Sequence, residues 1–446
     1  MKNNFLLRFW QTLRDVQRWL RPGLGIRRWF VYVLLGITVL GLGFGVILID
    51  VYHGSSDDSA LHVILLYASL QFIPRFLRAL IFGGVGIGLV IYGIVQLNRS
   101  LLGPFTRSDE DLFDQLTKFH RRERGPHIVG IGGGHGLAAL LRGLQAYTRN
   151  LTAVVTVADD GGSSGRLRER LGILPPGDIR NCLAALSKDE ALLTQLFQYR
   201  FSGSPDLDGH SFGNLFITAL ADITGSFEDA VVESGRVLSV NGRVLPATLR
   251  DVKLVASVEV PDNTNEVRVK GESKIPEMAG RIRHVWLEPD DAPAFPPVIK
   301  AILNAHMIVV GPGSLYTSIL PNLLVQDLLA AIRASRALKI FVCNIVTQSG
   351  ETDTYTCHDH VRGLEKHVGE GLFDVILCNG NYSGNIDPSS QWVHADEKTL
   401  ADPRAFCADL INDEYPTRHD SLKLARVIMD VFYLRTGPWN RVDLSM

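Results

Sequence analysis

The chain has 446 residues, about three times a typical domain, so two or three units are expected rather than a single core. Its 45 basic and 47 acidic residues leave a net charge of −2, with 21% charged and 46% hydrophobic residues; this excludes a disordered tail protein and offers no global basic field for nucleic acid. The mean hydropathy of +0.11 points to buried or membrane-embedded stretches.

Residues 1–28 form a basic leader in which Lys2, Arg8, Arg14, Arg18, Arg21, Arg27 and Arg28 stand against Asp15 alone. Trp29 to Ile49 then runs without a charge, about 30 Å as a helix, which is enough to cross a hydrocarbon core. A second uncharged run, Ala79 to Leu97, is followed by Arg99. Residues 29–98 therefore read as a transmembrane hairpin with spans 29–49 and 79–97. The loop between the spans opens with Asp50, Asp57 and Asp58, and cations follow the second span. The positive-inside bias thus puts both termini in the cytoplasm and the chain in the inner (plasma) membrane. Residues 99–126 are polar and read as a juxtamembrane linker.

From His127 to the end, residues 127–446, apolar runs and helical patterns alternate. HIVGIGG, LTAVVTVADD, HMIVVGPGS, KIFVCNIVT and FDVILCNG read as buried strands. Helical spacing follows in GLAALLRGLQAY, Arg166 to Leu171, Asp178 to Leu186, Leu315 to Leu329, Asp359 to His367 and Asp420 to Tyr433. The expectation is an α/β domain with a mostly parallel sheet covered on both faces. The stretch 235–286 differs: SVNGRVLP carries an Asn-Gly hairpin motif, and VKLVASVEV with EVRVKG read as antiparallel strands, a small β-rich insertion. The five cysteines are scattered and odd in number, which reads as reduced thiols without a disulfide framework or zinc site.

In open α/β sheets, ligands sit beyond the carboxyl ends of the strands, and four loops fall there. The first, Gly130 to Gly136, has Gly132, Gly133, Gly134, His135 and Gly136 between a strand and its helix, suited to amide contacts with an anion. Its spacing breaks the dinucleotide fingerprint, and it lacks the Lys-Ser/Thr ending of a Walker loop. In the second, Asp159 and Asp160 can hold Mg²⁺ or ribose hydroxyls or cap the next helix, while Gly161, Gly162, Ser163, Ser164, Gly165 and Arg166 suit phosphate. Its continuation brings Gly177, Asp178 and Asn181. The third, Gly209 to Asn214, carries His210, Ser211 and Asn214, with His210 either a phosphate ligand, an acid/base or a helix cap. The fourth places Gly311, Gly313, Ser314 and Thr317 at a helix start. No GxSxG elbow or HExxH helix is present.

The strings HIVGIGGGHGLAALLRGL, TVADDGGSSGRLRERLGILPPGDIRNCLAAL, GHSFGN, VNGRVLPATL, GPGSLYTSILPNLLV and VCNIVTQSGETD resemble, in order and spacing, the YvcK family of bacterial gluconeogenesis factors, within the wider superfamily of the 2-phospho-L-lactate transferase CofD. The resemblance covers about residues 127 to 440. It implies a Rossmann-like fold, binding of nucleotide sugars such as UDP-N-acetylglucosamine, and a role in cell shape and envelope synthesis. It also implies that the ligand loops fall on residues 132–136, 159–166, 177–181, 209–214 and 311–317. His135 stands where the family usually has Thr, and CofD keeps the Asp pair without the GGSSGR nest. The leading expectation is a membrane-tethered UDP-sugar-binding regulator, with envelope-synthesis proteins or a second copy of the chain as candidate partners. The alternative is a CofD-like transferase with Asp159, Asp160 and Asp178 as catalytic candidates, a metal at Asp159 and Asp160, and a nucleotide-linked donor. A hydride-transferring NAD(P) enzyme fits less well, since the fingerprint is broken.

Overall fold

A computed structural model describes residues 125–437 apart from 188–190, 204–205, 261–265, 279 and 389, together with scattered positions between 37 and 123. Contacts divide the chain into two compact units, Met1–His120 and Arg121–Met446. The leader 1–28, most of the expected spans 29–49 and 79–97 and most of the linker lie outside the described residues. Among the described residues no single helix is long and apolar enough to cross a membrane. In the first unit, Leu80, Ile81, Val85, Ile87 and Tyr92 are helical and exposed.

The second unit is built on strands β1 (Ile128–Gly132), β2 (Leu151–Val155), β3 (Arg243–Pro246), β7 (Met307–Val310), β8 (Leu338–Val342), β9 (Val375–Asn379) and β10 (Ala405–Ala408). They form one parallel sheet in the order β10-β9-β8-β7-β1-β2-β3. The remaining strands, β4 (Lys253–Glu259), β5 (Val267–Lys270) and β6 (Arg281–Glu288), make a separate antiparallel sheet. The helices are α1 (Gly134–Leu144), α2 (Gly162–Leu171), α3 (Gly177–Leu186), α4 (Ala191–Gln198), α5 (Phe212–Thr224), α6 (Phe227–Val237), α7 (Pro296–Leu303), α8 (Leu320–Leu323), α9 (Gln326–Ala334), α10 (Cys357–Val368), α11 (Glu397–Ala401) and α12 (Ser421–Thr436).

Strand side chains alternate between two faces, so both faces of the main sheet need cover. Val129, Ile131, Ile308, Val310 and Phe341 feed one core, closed by Leu254, Val285 and Leu287 of the antiparallel sheet and by Val298, Leu328 and Leu364 of helices. Ile128, Ala153, Val155, Val309 and Val342 feed the other, closed by α1, α3, α5, α6 and α12. Helix α1 shows how: Leu137, Leu140, Leu141 and Leu144 recur at helical spacing and all are buried.

Several expectations need correction. The Asn-Gly motif at 241–242 makes no hairpin; α6 returns the chain so that β3 lies parallel beside β2, with Val244 and Leu245 both buried. The insertion is consequently β4–β6, starting later than 235. Leu315 to Leu329 is not one helix but a π-helical turn, Leu315–Ile319, then α8, then a bend of 75° into α9. Pro321, in the first turn of α8, lacks the N–H that would continue the preceding turn, and the extended Val325 makes the bend into α9. Cys357 and Cys378 are joined by a disulfide, which the sequence reading did not expect, because a 21-residue separation hides the meeting of α10 with β9. Cys182 and Cys343 are free and buried, and Cys407 is free and exposed.

Candidate functional site

The strand order reverses at β1: the chain first builds outward through β2 and β3, then returns to β7 on the other side. The crevice at such a reversal, beyond the carboxyl ends of β1 and β7, is where α/β sheets take ligands. Gly133 to Gly136 leave β1 there, and Gly311 to Ser314 leave β7. The two loops touch so closely that a methyl on Gly136 would overlap the Pro312 carbonyl. Gly134 has φ +62°, a left-handed conformation that favours glycine, so the turn into α1 depends on it.

Between these loops lies a cleft of about 620 Å³, within the usual range for small-molecule sites. Its walls carry Gly133, Gly134, His135, Gly136, Asn181, Gly313 and Ser314 from the anticipated residues. They also carry Arg142, Gln198, Asn344, Gln348, Asn412, Tyr415, Thr417, Arg418 and His419, and no Asp or Glu. The N-cap of α1 is Gly133, which has no side chain to cap the helix itself. Burial lowers the pKa of His135, and the charges of Arg418, Arg180, Arg200 and Arg142 lower it further, so the start of α1 sits in a positive field. The Arg418 guanidinium lies 5.6 Å from the centre of the Tyr415 ring.

The other anticipated residues form a polar layer behind the cleft. Gly132 stays in the sheet, its carbonyl taking the Thr156 N–H at 3.2 Å and Asn322 Nδ2 at 3.0 Å. Asp159 Oδ1 accepts from the Gly161 N–H at 2.9 Å, and its carboxylate also takes the Ser164 hydroxyl. Asp160 Oδ1 accepts from the Ser273 N–H at 2.9 Å, tying down the turn after β5. Gly161 caps α2, and Gly162 (φ +48°) turns into it. Gly165 and Gly177 leave no room for a side chain against the Asp160 carbonyl and Ser164 Oγ respectively. The Asp178 carboxylate takes the Gly134 N–H and so links this layer to the first loop. Burial and the nearby Asp159 push Asp178 up to about 7. Burial, with Asp159, Asp160, Glu351 and Asp178 around it, pushes Glu272 up to about 8.

The second and third loops meet through hydrogen bonds. Arg166 Nε, which can only donate, points at His210 Nε2 at 3.3 Å, so His210 carries its proton on Nδ1 and donates to Ser163 Oγ at 3.0 Å. His210 therefore cannot take a proton from Ser163, and the pair is no nucleophile–base arrangement. Asn214 Nδ2 also donates to Ser163 Oγ, at 3.1 Å. The Arg180 guanidinium spans Ser211, Asn214 (3.2 Å) and Asn181 (2.9 Å), and its Nε finds no partner among the described residues. Burial, with Arg200 nearby, lowers Arg180 to about 10.

Much of the fourth loop is scaffold. The Gly311 N–H goes to the Ile131 carbonyl at 2.9 Å, and Thr317 donates its hydroxyl to Glu351 Oε1 at 2.9 Å, so neither is free for a ligand. Among the described residues no group of three or more His, Cys, Asp or Glu side chains is arranged to hold a metal ion. Asp159 and Asp160 are each engaged by backbone N–H groups. A second hollow, about 700 Å³ between α2, α5 and α6, is lined largely by aliphatic side chains such as Leu171, Leu174 and Leu215 and contains none of these loops.

Residues 128–409 match the family of the 2-phospho-L-lactate transferase CofD. The gluconeogenesis factor of Bacillus subtilis is 45% identical over 318 residues, which are 69% of this chain and 98% of that one. A candidate gluconeogenesis factor of Nostoc sp. is 48% identical over 428 residues, 92% of this chain and 91% of that one. The crystal structure of a Bacillus halodurans protein superimposes with a TM-score of 0.64 at 42% identity, covering 68% of this chain and 99% of that one. The chain belongs to the gluconeogenesis-factor family, with a CofD-like domain.

Within that family fold, several lining residues of the cleft are what sequence reading missed. Arg142 lies two helical turns beyond His135 on the polar side of α1, a spacing that could have flagged it. Asn344 stands just past the end of β8, where the strand-terminus rule also points. Tyr415 and Arg418 gave no such warning.

Proposed function

We propose that this gluconeogenesis-factor relative binds a diphosphate-bearing nucleotide sugar, of the UDP-sugar class, in the cleft between the β1 and β7 loops. The observation that carries the reading is the cleft's composition: the start of α1, whose Gly134 N–H is taken by Asp178 while the amides of His135 and Gly136 follow it in the first turn, together with the His135 side chain, Arg142 and Arg418, and no carboxylate in the lining. Such a wall stabilises an anion and gives a cation nothing to hold. Asn181, Gln198 and Asn412 supply amides for sugar or base hydroxyl and carbonyl groups. The protein then acts as a regulator of cell shape and envelope growth, held to the cytoplasmic face of the membrane by residues 29–98. The exposed apolar helical positions between 80 and 92 support that tether. Isothermal calorimetry with UDP-N-acetylglucosamine, with and without Mg²⁺, tests the binding; absence of heat in both conditions rules the reading out.

A second reading, transfer of a phosphorylated group from a nucleotide-linked donor, draws on the gathering of Asp159, Asp160, Asp178 and Glu272. Release of UMP from the sugar nucleotide, lost in Asp178→Asn, would move the balance toward it.

A further inference from the structure

Ser314 is the N-cap of the π-helical turn, yet its side chain makes no capping bond, and the Tyr316 N–H in that turn goes to Glu351 at 3.3 Å instead. The freed serine oxygen is held from the other side by a chain of three hydrogen bonds along the cleft wall. The Gly313 N–H donates to Asn344 Oδ1 at 3.2 Å, Asn344 Nδ2 donates to Gln348 Oε1 at 3.2 Å, and Gln348 Nε2 donates to Ser314 Oγ at 2.7 Å. Ser314, Asn344 and Gln348 all line the cleft.

The direction of this chain is not free to choose. A backbone N–H can only donate, so Asn344 must present its oxygen to Gly313 and its nitrogen to Gln348. Gln348 must in turn receive on oxygen and donate on nitrogen. Ser314 Oγ then accepts, and its single proton is left over. Each amide carbonyl has been engaged inside the chain, while one proton on Asn344 Nδ2, one on Gln348 Nε2 and the Ser314 hydroxyl proton remain to be given away.

We propose that Asn344 and Gln348 are positioning residues that occupy one lone pair of Ser314 Oγ and turn its proton away from Gln348, so that this wall of the cleft favours a ligand oxygen that accepts, such as a phosphate or carbonyl oxygen. The inference rests on the reading that the cleft binds a nucleotide sugar, and it adds which atoms face this wall. An isolated serine hydroxyl has both lone pairs open and would discriminate little; the relay fills one of them and keeps the proton off the Gln348 side before the ligand arrives, which lowers the reorganisation needed on binding.

A double-mutant cycle tests it, with UDP-N-acetylglucosamine as the probe and calorimetry as the readout. Ser314→Ala is expected to weaken binding about tenfold, the loss of one hydrogen bond to a charged acceptor. Gln348→Met, similar in length but apolar, is expected to weaken it by roughly threefold to tenfold in the otherwise unchanged protein. It should cost nothing further once Ser314 is alanine. A merely structural role for Gln348 would give the same loss in both backgrounds, and that result overturns the relay, as does unchanged affinity in Gln348→Met. Should the methionine variant fail to fold, Gln348→Asn, one carbon too short to reach Ser314, takes its place with the same expectations. If the unmodified protein binds no sugar nucleotide at all, the reading of the cleft falls and takes this inference with it, an outcome distinct from binding that ignores Gln348.

Discussion

At His135 one imidazole reports the field of the whole cleft. It stands in the first turn of α1, and burial together with four arginines disfavours its charged form. Two of those arginines, Arg142 and Arg418, line the cleft. Arg142→Gln and Arg418→Gln should each weaken UDP-N-acetylglucosamine binding about tenfold, the usual cost of losing a charge-assisted hydrogen bond. Each should also flatten the salt dependence measured by calorimetry between low and high ionic strength. Glu272 makes an opposite case: burial among like charges pushes it up to about 8, so its ionised form is disfavoured in the folded state. A carboxyl raised in this way costs nothing while protonated and destabilises progressively as pH climbs from its unfolded value near 4.5 through 8. Glu272→Gln should therefore raise the melting temperature at pH 8 by several degrees and leave it nearly unchanged at pH 4. Equal shifts at both values would show that the residue is not held ionisable and buried as described.

Helix α1 couples the cleft to the core. Its apolar face is buried against β1 and β2, its first turn lines the cleft, and Gly143 packs against the start of α12, where any Cβ would overlap the Ser421 carbonyl. Gly143→Ala should destabilise the second unit by more than about 2 kcal/mol, read as a lower urea midpoint, despite alanine's better helix propensity. A neutral or stabilised variant would mean that α1 and α12 are not packed backbone to backbone. The β1–α1 and β2–α2 junctions were legible in sequence because central parallel strands are continuous apolar runs and their glycine turns are fixed by close approach. Edge elements were less so. The β10 strand, Ala405–Ala408, is an apolar run of only four residues with Phe406 and Cys407 exposed, too short to mark a strand, and the loop beyond it with Tyr415 and Arg418 gave no reason to be assigned to the site. The π-helical turn was hidden for another reason: Leu315, Ile319, Leu320 and Leu323 keep a helical apolar spacing through the irregularity. The roles of Asp159 and Asp160 were open between ligand and cap; the Asp159 bond to Gly161 is the local kind the cap reading allows, while the Asp160 bond to Ser273, 113 residues away, is a contact that no spacing rule encodes.

On the scale of the whole molecule, the two units are separable in sequence. The relatives from Bacillus subtilis and Bacillus halodurans match 69% and 68% of this chain over 98% and 99% of their own lengths, about the extent of the second unit, and the latter is seen folded at that length. Residues 121–446 should be soluble and bind UDP-N-acetylglucosamine with the affinity of the full-length protein in detergent, while a fluorescent fusion of that piece should leave the membrane fraction. A large loss of affinity on truncation would mean that the first unit shapes the cleft. The most direct test of the account is a crystal structure of residues 121–446 soaked with UDP-N-acetylglucosamine. The account predicts diphosphate oxygens about 3 Å from the amides of His135 and Gly136, between Arg142 and Arg418. Ligand density in the aliphatic hollow between α2, α5 and α6, or against the carboxylates of Asp159 and Asp178, would contradict it.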